Sequence, residues 1–430
     1  MSVSGSARFY LGLKNSLLRF HYFNEREVRL LQDRQFGSIV QFANKKIPFY
    51  KNKFLEHKID VRKIQNINQI KNLPFTEPNV FFAQSKDMRA DKKSIYKQFR
   101  SSGTTGRPKD VYLSSFDWEH LGRLAYLRMF FSSGCSPFYK TLFLRSPQLS
   151  SDIRSRWFWK LGLMREKPIS IIKSKADQAA VFNQYQPDVL YCLTSDGLAL
   201  VDFIKGQNGH RHKAKYVFTT GEMLNNKDKQ EMLDILGFKV IDFYANTEAG
   251  IIAWQCQKNG GYHINADQLY VEIVDGNRIC REGEQGEVVL TTLTSRCSPL
   301  IRYRTGDIAV LEHGRCSCGS SFPRLSKIIG RRNDFLTDSD GERISPYVLM
   351  SAMDRFAEVS RYRIHQKKKT DYTIYLTLNE SENNASSVRE KIKKEYSNIL
   401  GEKSNIMFAD LRDLVLLNMK SKRKIIASDI

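Results

Sequence analysis

The chain has 430 residues, of which 41% are hydrophobic and 11% aromatic, and it carries a formal net charge of +22. This length exceeds what a single hydrophobic core supports, so two or more domains are expected. The positive charge favours anionic partners such as nucleotides, coenzyme phosphates or an acidic lipid surface. Lys and Arg are spread along the chain without a zinc finger, an RNA-recognition signature or a basic leucine zipper, so binding to nucleic acid is not expected.

Two further features favour a cytoplasmic protein. No apolar run is long enough for a signal peptide core or a bilayer span. The seven cysteines are an odd number at scattered spacings, which argues against a secreted disulfide framework and leaves metal binding or buried thiols.

The N-terminal third of the chain predicts helices followed by a loop-rich approach. Residues 9–57 have apolar positions at helical spacing, with Pro48 ending the main run. Residues 64–82 contain two prolines and lead into a Ser/Gly/Thr-rich stretch. After it, Asp110–Leu113 predicts a strand and residues 116–131 an amphipathic helix.

The rest of the chain predicts an α/β fold with parallel βαβ units, followed by an antiparallel β region and a small α+β domain. Short apolar runs at 142–144, 189–192, 216–219 and 240–244 alternate with helical patterns at 176–185, 197–204 and 227–236, which indicates parallel βαβ units. Residues 269–311 alternate as in antiparallel strands, at 270–274 and 287–292. Past a polar break at 330–334, strand patterns at 362–365 and 372–376 and a helix at 387–399 predict a small α+β domain.

The expected domains are therefore a large N-terminal α/β domain over residues 1–330 and a small C-terminal domain over residues 334–430. The large domain has parallel sheets and an antiparallel β subdomain at about 269–329. A hinge at 331–334 would leave the small domain mobile.

Arg100 to Lys109 reads Arg-Ser-Ser-Gly-Thr-Thr-Gly-Arg-Pro-Lys and has the chemistry of a phosphate loop. Its glycines allow a tight bend that directs successive N–H groups into an anion-binding concavity. The donors and the cation that follows them are Ser101, Ser102, Gly103, Thr104, Thr105, Gly106 and Lys109. The spacing is not that of a Walker A loop, and a flexible polar turn is the alternative.

Four separated stretches resemble the adenylate-forming ligases. They are the loop at 100–109, Tyr-Ala-Asn-Thr-Glu at 244–248, Arg-Tyr-Arg-Thr-Gly-Asp at 302–307 and Gly-Arg-Arg-Asn-Asp at 330–334. Ser-Ser-Gly-Thr-Thr-Gly at 101–106, Gly221-Glu222, the segment 299–307 and Cys-Ser-Cys-Gly at 316–319 are similar to the branch of phenylacetate-CoA ligases and CapK-like ligases. The resemblance covers residues from about 40 to 430.

This resemblance implies an acid-thiol ligase that uses ATP and Mg²⁺. A carboxylic acid would displace pyrophosphate from ATP to give an acyl adenylate, and the small domain would then rotate to admit an acceptor, with CoA as the leading one. Because two anions meet in the first step, the site needs donors, cations and Mg²⁺ more than a protein nucleophile.

The resemblance also implies roles for individual residues. The loop with Lys109 would hold the β- and γ-phosphates, Glu248 would bind Mg²⁺, and Thr247 would donate to the α-phosphate. Tyr244 would stack on adenine and Asp307 would accept both ribose hydroxyls. Gly221 and Glu222 would belong to the same nucleotide site, and Arg331 would contact ribose or phosphate from the hinge. Asn333 stands where the family has an aspartate, and it keeps the turn geometry of the pivot without the charge. Ordinary turns at 244–248 and at Asp307 are the alternatives.

A lysine near the C-terminus completes the catalytic set by resemblance. Ser-Lys-Arg-Lys at 421–424 matches the family's Gly-Lys-x-Arg-like segment, which makes Lys422 the residue that bridges the carboxylate and the α-phosphate. Lys420 or Lys424 would serve after a small shift in register. A solvated tail or a membrane-surface patch is the alternative.

Cys256, His263, Cys316 and Cys318 suggest a structural Zn²⁺ site, since three thiolates and one imidazole can close a tetrahedral shell. The related ligases look similar at these four positions. Otherwise these are reduced cysteines in two hairpins.

Two other functions stay open. A CapK-like enzyme would transfer the acyl group to an amino sugar or hydroxyl during surface-polysaccharide biosynthesis, with its basic surface at an anionic membrane. A non-catalytic nucleotide-binding relative is suggested by Ala245, Asn333 and Ser421, which depart from the family pattern. Tyr191, Phe218 and Phe243 would favour an aromatic or apolar acid, although aromatic residues more often belong to a core.

Overall fold

The structure is a computed structural model that describes residues 23–80, 85–100, 109–145, 160–207, 212–258, 260–379, 382–411 and 425–429. The predicted loop residues 101–106 and the lysines at 420, 422 and 424 lie outside the described residues, as does the start of the predicted N-terminal helix. Within the described residues, no helix is both long enough and apolar enough to cross a bilayer.

The helices are numbered in chain order. They are α1 Glu25–Lys46, α2 Pro48–Glu56, α3 Ser115–Asp117, α4 Ala125–Ser132, α5 Lys175–Tyr185, α6 Thr194–Lys205, α7 Asn226–Ile235, α8 Pro346–Met353 and α9 Glu382–Leu400, with a wider π-helical segment at Trp118–Leu124 between α3 and α4.

The strands are numbered in the same way. They are β1 Lys97–Arg100, β2 Asp110–Leu113, β3 Lys140–Arg145, β4 Arg165–Ser170, β5 Val189–Leu193, β6 Tyr216–Thr220, β7 Val240–Asn246, β8 Gly250–Gln255, β9 Tyr262–Ile264, β10 Leu269–Asp275, β11 Arg278–Ile279, β12 Gln285–Thr292, β13 Tyr303–Glu312, β14 Arg324–Arg331, β15 Leu336–Thr337, β16 Arg343–Ile344, β17 Val359–Lys368, β18 Asp371–Leu378, β19 Asn405–Asp410 and β20 Ile426–Ser428.

Local chemistry sets the first helix boundaries. The side chain of Asn24 accepts the N–H of Glu27 while Glu27 accepts the N–H of Asn24, which is a capping box at the start of α1. The helix ends at Lys46, and Pro48 takes the first position of α2, where its missing N–H costs nothing. The prediction that Pro48 ends the main helical run is confirmed.

One compact unit comprises Met1–Ser136 and Phe243–Ile328. Its predicted antiparallel strands are confirmed: β12 pairs with β10 on one side and with β13 on the other. In the same unit, the short strand β9 lies between β8 and β14 and pairs with both. A separate hairpin of β1 and β2 flanks the predicted phosphate loop, with Arg100 opposite Asp110.

The other compact unit comprises Pro137–Asp242 and Ile329–Ile430. Its first part is a parallel sheet in the order β4-β3-β5-β6-β7, as the βαβ pattern predicts. Helices α5, α6 and α7 pack on one face through an aliphatic core that includes Leu142, Leu190, Val217 and Val201.

The C-terminal part of this second unit has its own sheet and core. The order of its sheet is β19-β18-β17-β20. The sheet packs on α8 and α9 around buried side chains such as Tyr372, Ile374, Ile392 and Tyr396. The predicted α+β texture after residue 334 is confirmed, whereas the domain boundary at 330 and the hinge at 331–334 stay predictions.

Candidate nucleotide-binding site

Lys109 is the described end of the predicted phosphate loop, directly before β2. Its ammonium donates to Glu248 Oε1 at 2.9 Å and to the Tyr303 hydroxyl at 3.0 Å. These three residues come from three of the separated sequence motifs, and the fold brings their polar atoms together.

The turn between β7 and β8 positions Glu248. The Asn246 side chain accepts the N–H of Ala249 at 2.6 Å and so closes the turn. Gly250 has φ of +74°, and a Cβ there would lie 2.5 Å from the Leu121 carbonyl oxygen, so only glycine fits. Glu248 is 8% exposed, and Thr247 beside it is exposed on the same turn.

Tyr303 is the third member of this cluster. It is 1% exposed, and its hydroxyl donates to Glu248 Oε1 at 2.9 Å. Burial raises the pKa of Tyr303 well above its usual value, and the neighbouring Glu248 charge raises it further. Tyr303 therefore keeps its proton, and Glu248 accepts from two donors.

Tyr244 and Asp307 form a second polar pair in the same unit. The Tyr244 hydroxyl donates to Asp307 Oδ2 at 2.5 Å, and the Asp307 N–H donates to the Thr305 hydroxyl at 3.0 Å. Gly306 has φ of +79° where the pairing of β12 with β13 shifts register, so a bulge directs Asp307. Tyr244 thus supports the carboxylate that was predicted to bind ribose.

Buried ion pairs hold the backbone on either side of Tyr303. The Arg302 guanidinium pairs with Glu272 at 2.9 Å, and both side chains are almost fully buried. Arg304 pairs with Glu287 at 2.5 Å, and Glu287 also accepts the N–H of Gly306. Both pairs fix the start of β13, from which Tyr303 and Asp307 project.

Gly221, Glu222 and Arg331 lie in the other compact unit. Gly221 is exposed with φ of +89°, and Glu222 Oε2 accepts the Ser195 N–H at 3.1 Å, at the start of α6. Arg331 ends β14 next to Gly330, where a Cβ would lie 2.8 Å from Met223 Sδ. Their roles at a nucleotide stay predictions.

Cys256, His263, Cys316 and Cys318 form one cluster, with all four ligand atoms within 4.8 Å of one another. Cys256 Sγ lies 3.8 Å from Cys316 Sγ, and Cys318 Sγ lies 3.4 Å from His263 Nε2. With Zn–S bonds of about 2.3 Å and Zn–N bonds of about 2.0–2.1 Å, a tetrahedron has edges of about 3.8 Å and 3.5 Å. The donors therefore have the chemistry and the spacing of a closed zinc site.

The turns around this cluster are shaped for close sulfur packing. A Cβ on Gly260 would lie 2.7 Å from Cys316 Sγ, and Gly261 has φ of +80°. The Lys258 N–H donates to Cys256 Sγ at 3.3 Å, as expected around a thiolate ligand.

The sequence motifs contained Tyr303 but gave it no role. The available signal is that Tyr303 stands between two arginines and leads into a Gly-Asp turn. This signal does not reveal a role for Tyr303, because its partner Glu248 is distant in the sequence. Glu272 and Glu287 were also missed, since nothing local marks a buried carboxylate that pairs with an arginine tens of residues away.

Comparison with known proteins adds to this geometry. The profile of the AMP-binding enzyme family matches residues 49–293, more than half of the chain. The phenylacetate-coenzyme A ligase of Thermus thermophilus is 25% identical over 332 residues, 72% of either chain. Protein CapK of Staphylococcus aureus is 22% identical over 411 residues, 90% of this chain and 88% of CapK.

Solved structures share the fold. A 2-hydroxyisobutyryl-CoA ligase in its postadenylation state superposes with a TM-score of 0.79 at 18% identity, covering 96% of this chain and 92% of that one. The same enzyme in its thioesterification state gives 0.65, also at 18% identity, with the same coverage. With the converging motifs and the matched profile, the chain belongs to the AMP-binding enzyme family of adenylate-forming ligases, in the branch of phenylacetate-CoA ligases and CapK.

Proposed function

We propose that this protein is an ATP-dependent ligase that activates a carboxylic acid as its acyl adenylate and passes the acyl group to CoA. In the first step a carboxylate oxygen bonds to the α-phosphorus of ATP. The bond between that phosphorus and the oxygen that bridges it to the β-phosphate breaks, and pyrophosphate leaves. In the second step the CoA thiol loses its proton, its sulfur bonds to the acyl carbon, the bond from that carbon to the phosphate oxygen breaks, and AMP leaves.

The observation that carries this proposal is the convergence of Lys109, Glu248 and Tyr303. A lysine at the end of a phosphate loop and a buried carboxylate suit a triphosphate with its metal ion, because Mg²⁺ prefers carboxylate and phosphate oxygens. The bound ion would neutralise charge on the leaving pyrophosphate. Tyr303 orients the Glu248 carboxylate. Lys109, which pairs with Glu248 here, is the cation that would pair with a phosphate when ATP binds.

The other predicted roles belong to the same proposal. Ser101, Ser102, Gly103, Thr104, Thr105 and Gly106 would hold the β- and γ-phosphates, Thr247 the α-phosphate, Asp307 the ribose, Tyr244 the adenine, and Gly221, Glu222 and Arg331 the rest of the nucleotide. Lys422 would bridge the carboxylate and the α-phosphate. Residues 334–430 would then rotate to open the site to the acceptor, and a cytoplasmic location stays a prediction.

A second acceptor is supported by one comparison. CapK aligns with 90% of this chain, whereas the ligase of Thermus thermophilus aligns with 72%. An amino sugar or hydroxyl of a surface polysaccharide, presented at an anionic membrane, is therefore the alternative to the thiol of CoA.

The first half-reaction is tested by ATP–pyrophosphate exchange with aromatic, apolar, hydroxylated and dicarboxylic acids. We expect exchange with at least one acid, and a loss of at least 100-fold in Glu248→Gln, which removes the carboxylate. The control Glu390→Gln, an exposed position on α9, should exchange like wild type. Nucleotide binding without exchange for any acid would support the non-catalytic relative, and product analysis with CoA and amino sugars decides the acceptor.

We also propose that Cys256, His263, Cys316 and Cys318 hold one structural Zn²⁺. The four donors fit a closed shell, which leaves no position for a substrate and so favours a structural role. The ion would join the β8–β9 hairpin to the turn at 316–319.

Metal analysis of the purified protein tests the zinc site. We expect about one zinc per chain in wild type, less than a tenth of that in Cys316→Ser, and a lower melting temperature in the variant. Cys280→Ser is the matched control, because Cys280 lies outside the cluster, where its Sγ donates to the Gln285 carbonyl oxygen. Equal, near-zero zinc in wild type and Cys316→Ser would overturn the site.

A further inference from the structure

The parallel sheet of the second unit has two chemically different faces. The helix-covered face is aliphatic, with Leu142, Leu144 and Leu190 packed against α5 to α7. The opposite face is aromatic: Phe143 pairs with Tyr191, and Tyr191 pairs with Phe218, so the three rings share one side. The Phe143 and Tyr191 rings are 5.1 Å apart.

Arg145, the last residue of β3, lies on this aromatic face. Its guanidinium is 3.9 Å from the centroid of Phe143 and 5.3 Å from that of Tyr191, and the side chain is partly buried. Stacking on two rings holds the planar group in place and leaves its N–H fork for an oxyanion. The sequence motifs did not point to this residue.

No carboxylate of the chain neutralises Arg145 within the residues that the structure describes. Its side-chain contacts there are the two rings, and no Asp or Glu forms an ion pair with it. Two aromatic rings against the guanidinium displace water that would otherwise hydrate it. A bound anion would accept hydrogen bonds from the guanidinium and so replace the lost hydration. The nearby N-terminus of α6 already has a carboxylate, because Glu222 accepts the Ser195 N–H.

The topology of the sheet places Arg145 where ligands bind in open parallel sheets. In chain order the strands lie 2-1-3-4-5, with the first strand, β3, between β4 and β5. The chain runs from β3 towards β4 and from β5 towards β6, which are opposite directions along the sheet, so the crevice at the carboxyl ends of β3 and β5 is the topological switch point. Phe143 lies opposite Tyr191 of β5, and Arg145 follows two residues later at the carboxyl end of β3.

We propose that Arg145 binds an anionic oxygen group of a ligand at this switch point, a carboxylate or a phosphate that does not react. The inference rests on the proposed function and deepens it. Either the activated acid carries a second carboxylate, in contrast to the purely aromatic or apolar acid expected from the rings, or the acceptor carries a phosphate that Arg145 holds.

Calorimetric titration with succinate, glutarate and inorganic phosphate tests binding without catalysis. We expect wild type to bind at least one of these anions at least tenfold more tightly than Arg145→Met, whose apolar side chain keeps the ring contacts. Arg145→Lys keeps the charge without the planar fork and should lie between them. Arg89→Met, which removes a guanidinium stacked on Tyr112 in the other unit, should bind like wild type.

Kinetics distinguish the two sources of the anion. If the acid supplies it, exchange with glutarate should exceed exchange with pentanoate at least tenfold, and Arg145→Met should abolish that preference. If the acceptor supplies it, exchange should stay unchanged while the KM for CoA rises at least tenfold in Arg145→Met and that for pantetheine does not.

Equal anion affinity in wild type and in folded Arg145→Met and Arg145→Lys would overturn the inference. Because the titration needs no turnover, a wild-type protein without exchange activity refutes the proposed function and leaves the binding result to decide Arg145 alone.

Discussion

At the scale of single residues, Tyr303 links the two polar groups most suited to handle a triphosphate. Its hydroxyl accepts from Lys109 and donates to Glu248, so one buried proton sets the orientation of both. Burial keeps that proton in place by raising the pKa of Tyr303. A phosphate that withdrew Lys109 would leave Glu248 still oriented by Tyr303.

We therefore expect Tyr303→Phe to reduce the kcat/KM for MgATP in pyrophosphate exchange about 10- to 100-fold. The ring is retained, and once a phosphate of ATP has drawn Lys109 away, the loss corresponds to the one remaining hydrogen bond, to the Glu248 carboxylate, about 1.5–3 kcal/mol. Saturation curves in ATP and in Mg²⁺ measure the effect, which we expect mainly in the KM for the metal–nucleotide complex.

The matched control is Tyr396→Phe, which removes an equally buried hydroxyl that donates to the Leu349 carbonyl oxygen at 2.6 Å in the C-terminal part. Tyr303→Phe removes the hydrogen bonds to Lys109 and Glu248, and Tyr396→Phe removes the one to Leu349, so the melting temperature should fall in both variants. An exchange rate that falls equally in the two variants would show that Tyr303 acts only through stability.

At the scale of secondary-structure elements, the sequence pattern located those elements whose periodicity is local. Helices α5, α6 and α7 lie within a few residues of their predicted positions, because buried residues recur three or four positions apart within each segment, and Ser174 and Asn225 cap α5 and α7. The strands β10 and β12 were found by alternation. In each of these elements the signal lies within the element's own residues.

The elements that were missed depend on distant partners. Strand β8, Gly-Ile-Ile-Ala-Trp-Gln, and strand β14 lack a clear alternation, and each pairs with the three-residue β9. Helix α8 starts at Pro346 and is mostly apolar, so its short run gives no stripe. The same limit applies to the site: the motifs marked Glu248 and Asp307, whereas Arg145 required the order of the strands.

At the scale of the whole chain, the proposed reaction needs the C-terminal residues to take two positions, and the second unit shows what holds one of them. Arg361 on β17 bonds to both Asp202 of α6 and Glu231 of α7. Asn226 and Lys227 of α7 bond to Asp354 and to the Phe356 carbonyl oxygen at 2.7 and 2.6 Å. These contacts must break if residues 334–430 rotate away from α6 and α7.

The charges behind this contact are partly buried. Asp228 on α7 is 5% exposed, and burial raises its pKa to about 6 although Arg361 and Arg363 lower it. Without Arg361, less positive charge compensates the carboxylates of Asp202, Asp228 and Glu231. Their mutual repulsion then also disfavours the contact between β17 and helices α6 and α7.

We expect Arg361→Gln to change the ratio of the two half-reaction rates about tenfold, equivalent to about 1.4 kcal/mol of shifted conformational equilibrium. Single-turnover formation of the acyl adenylate and its discharge to the acceptor, measured separately, give the ratio. The half-reaction that needs the contact between β17 and helices α6 and α7 should become slower, and the other half-reaction should become faster. Arg355→Gln breaks an ion pair with Glu395 inside the C-terminal part and should leave the ratio unchanged. Equal slowing of both steps by Arg361→Gln would mean that the contact only stabilises the fold.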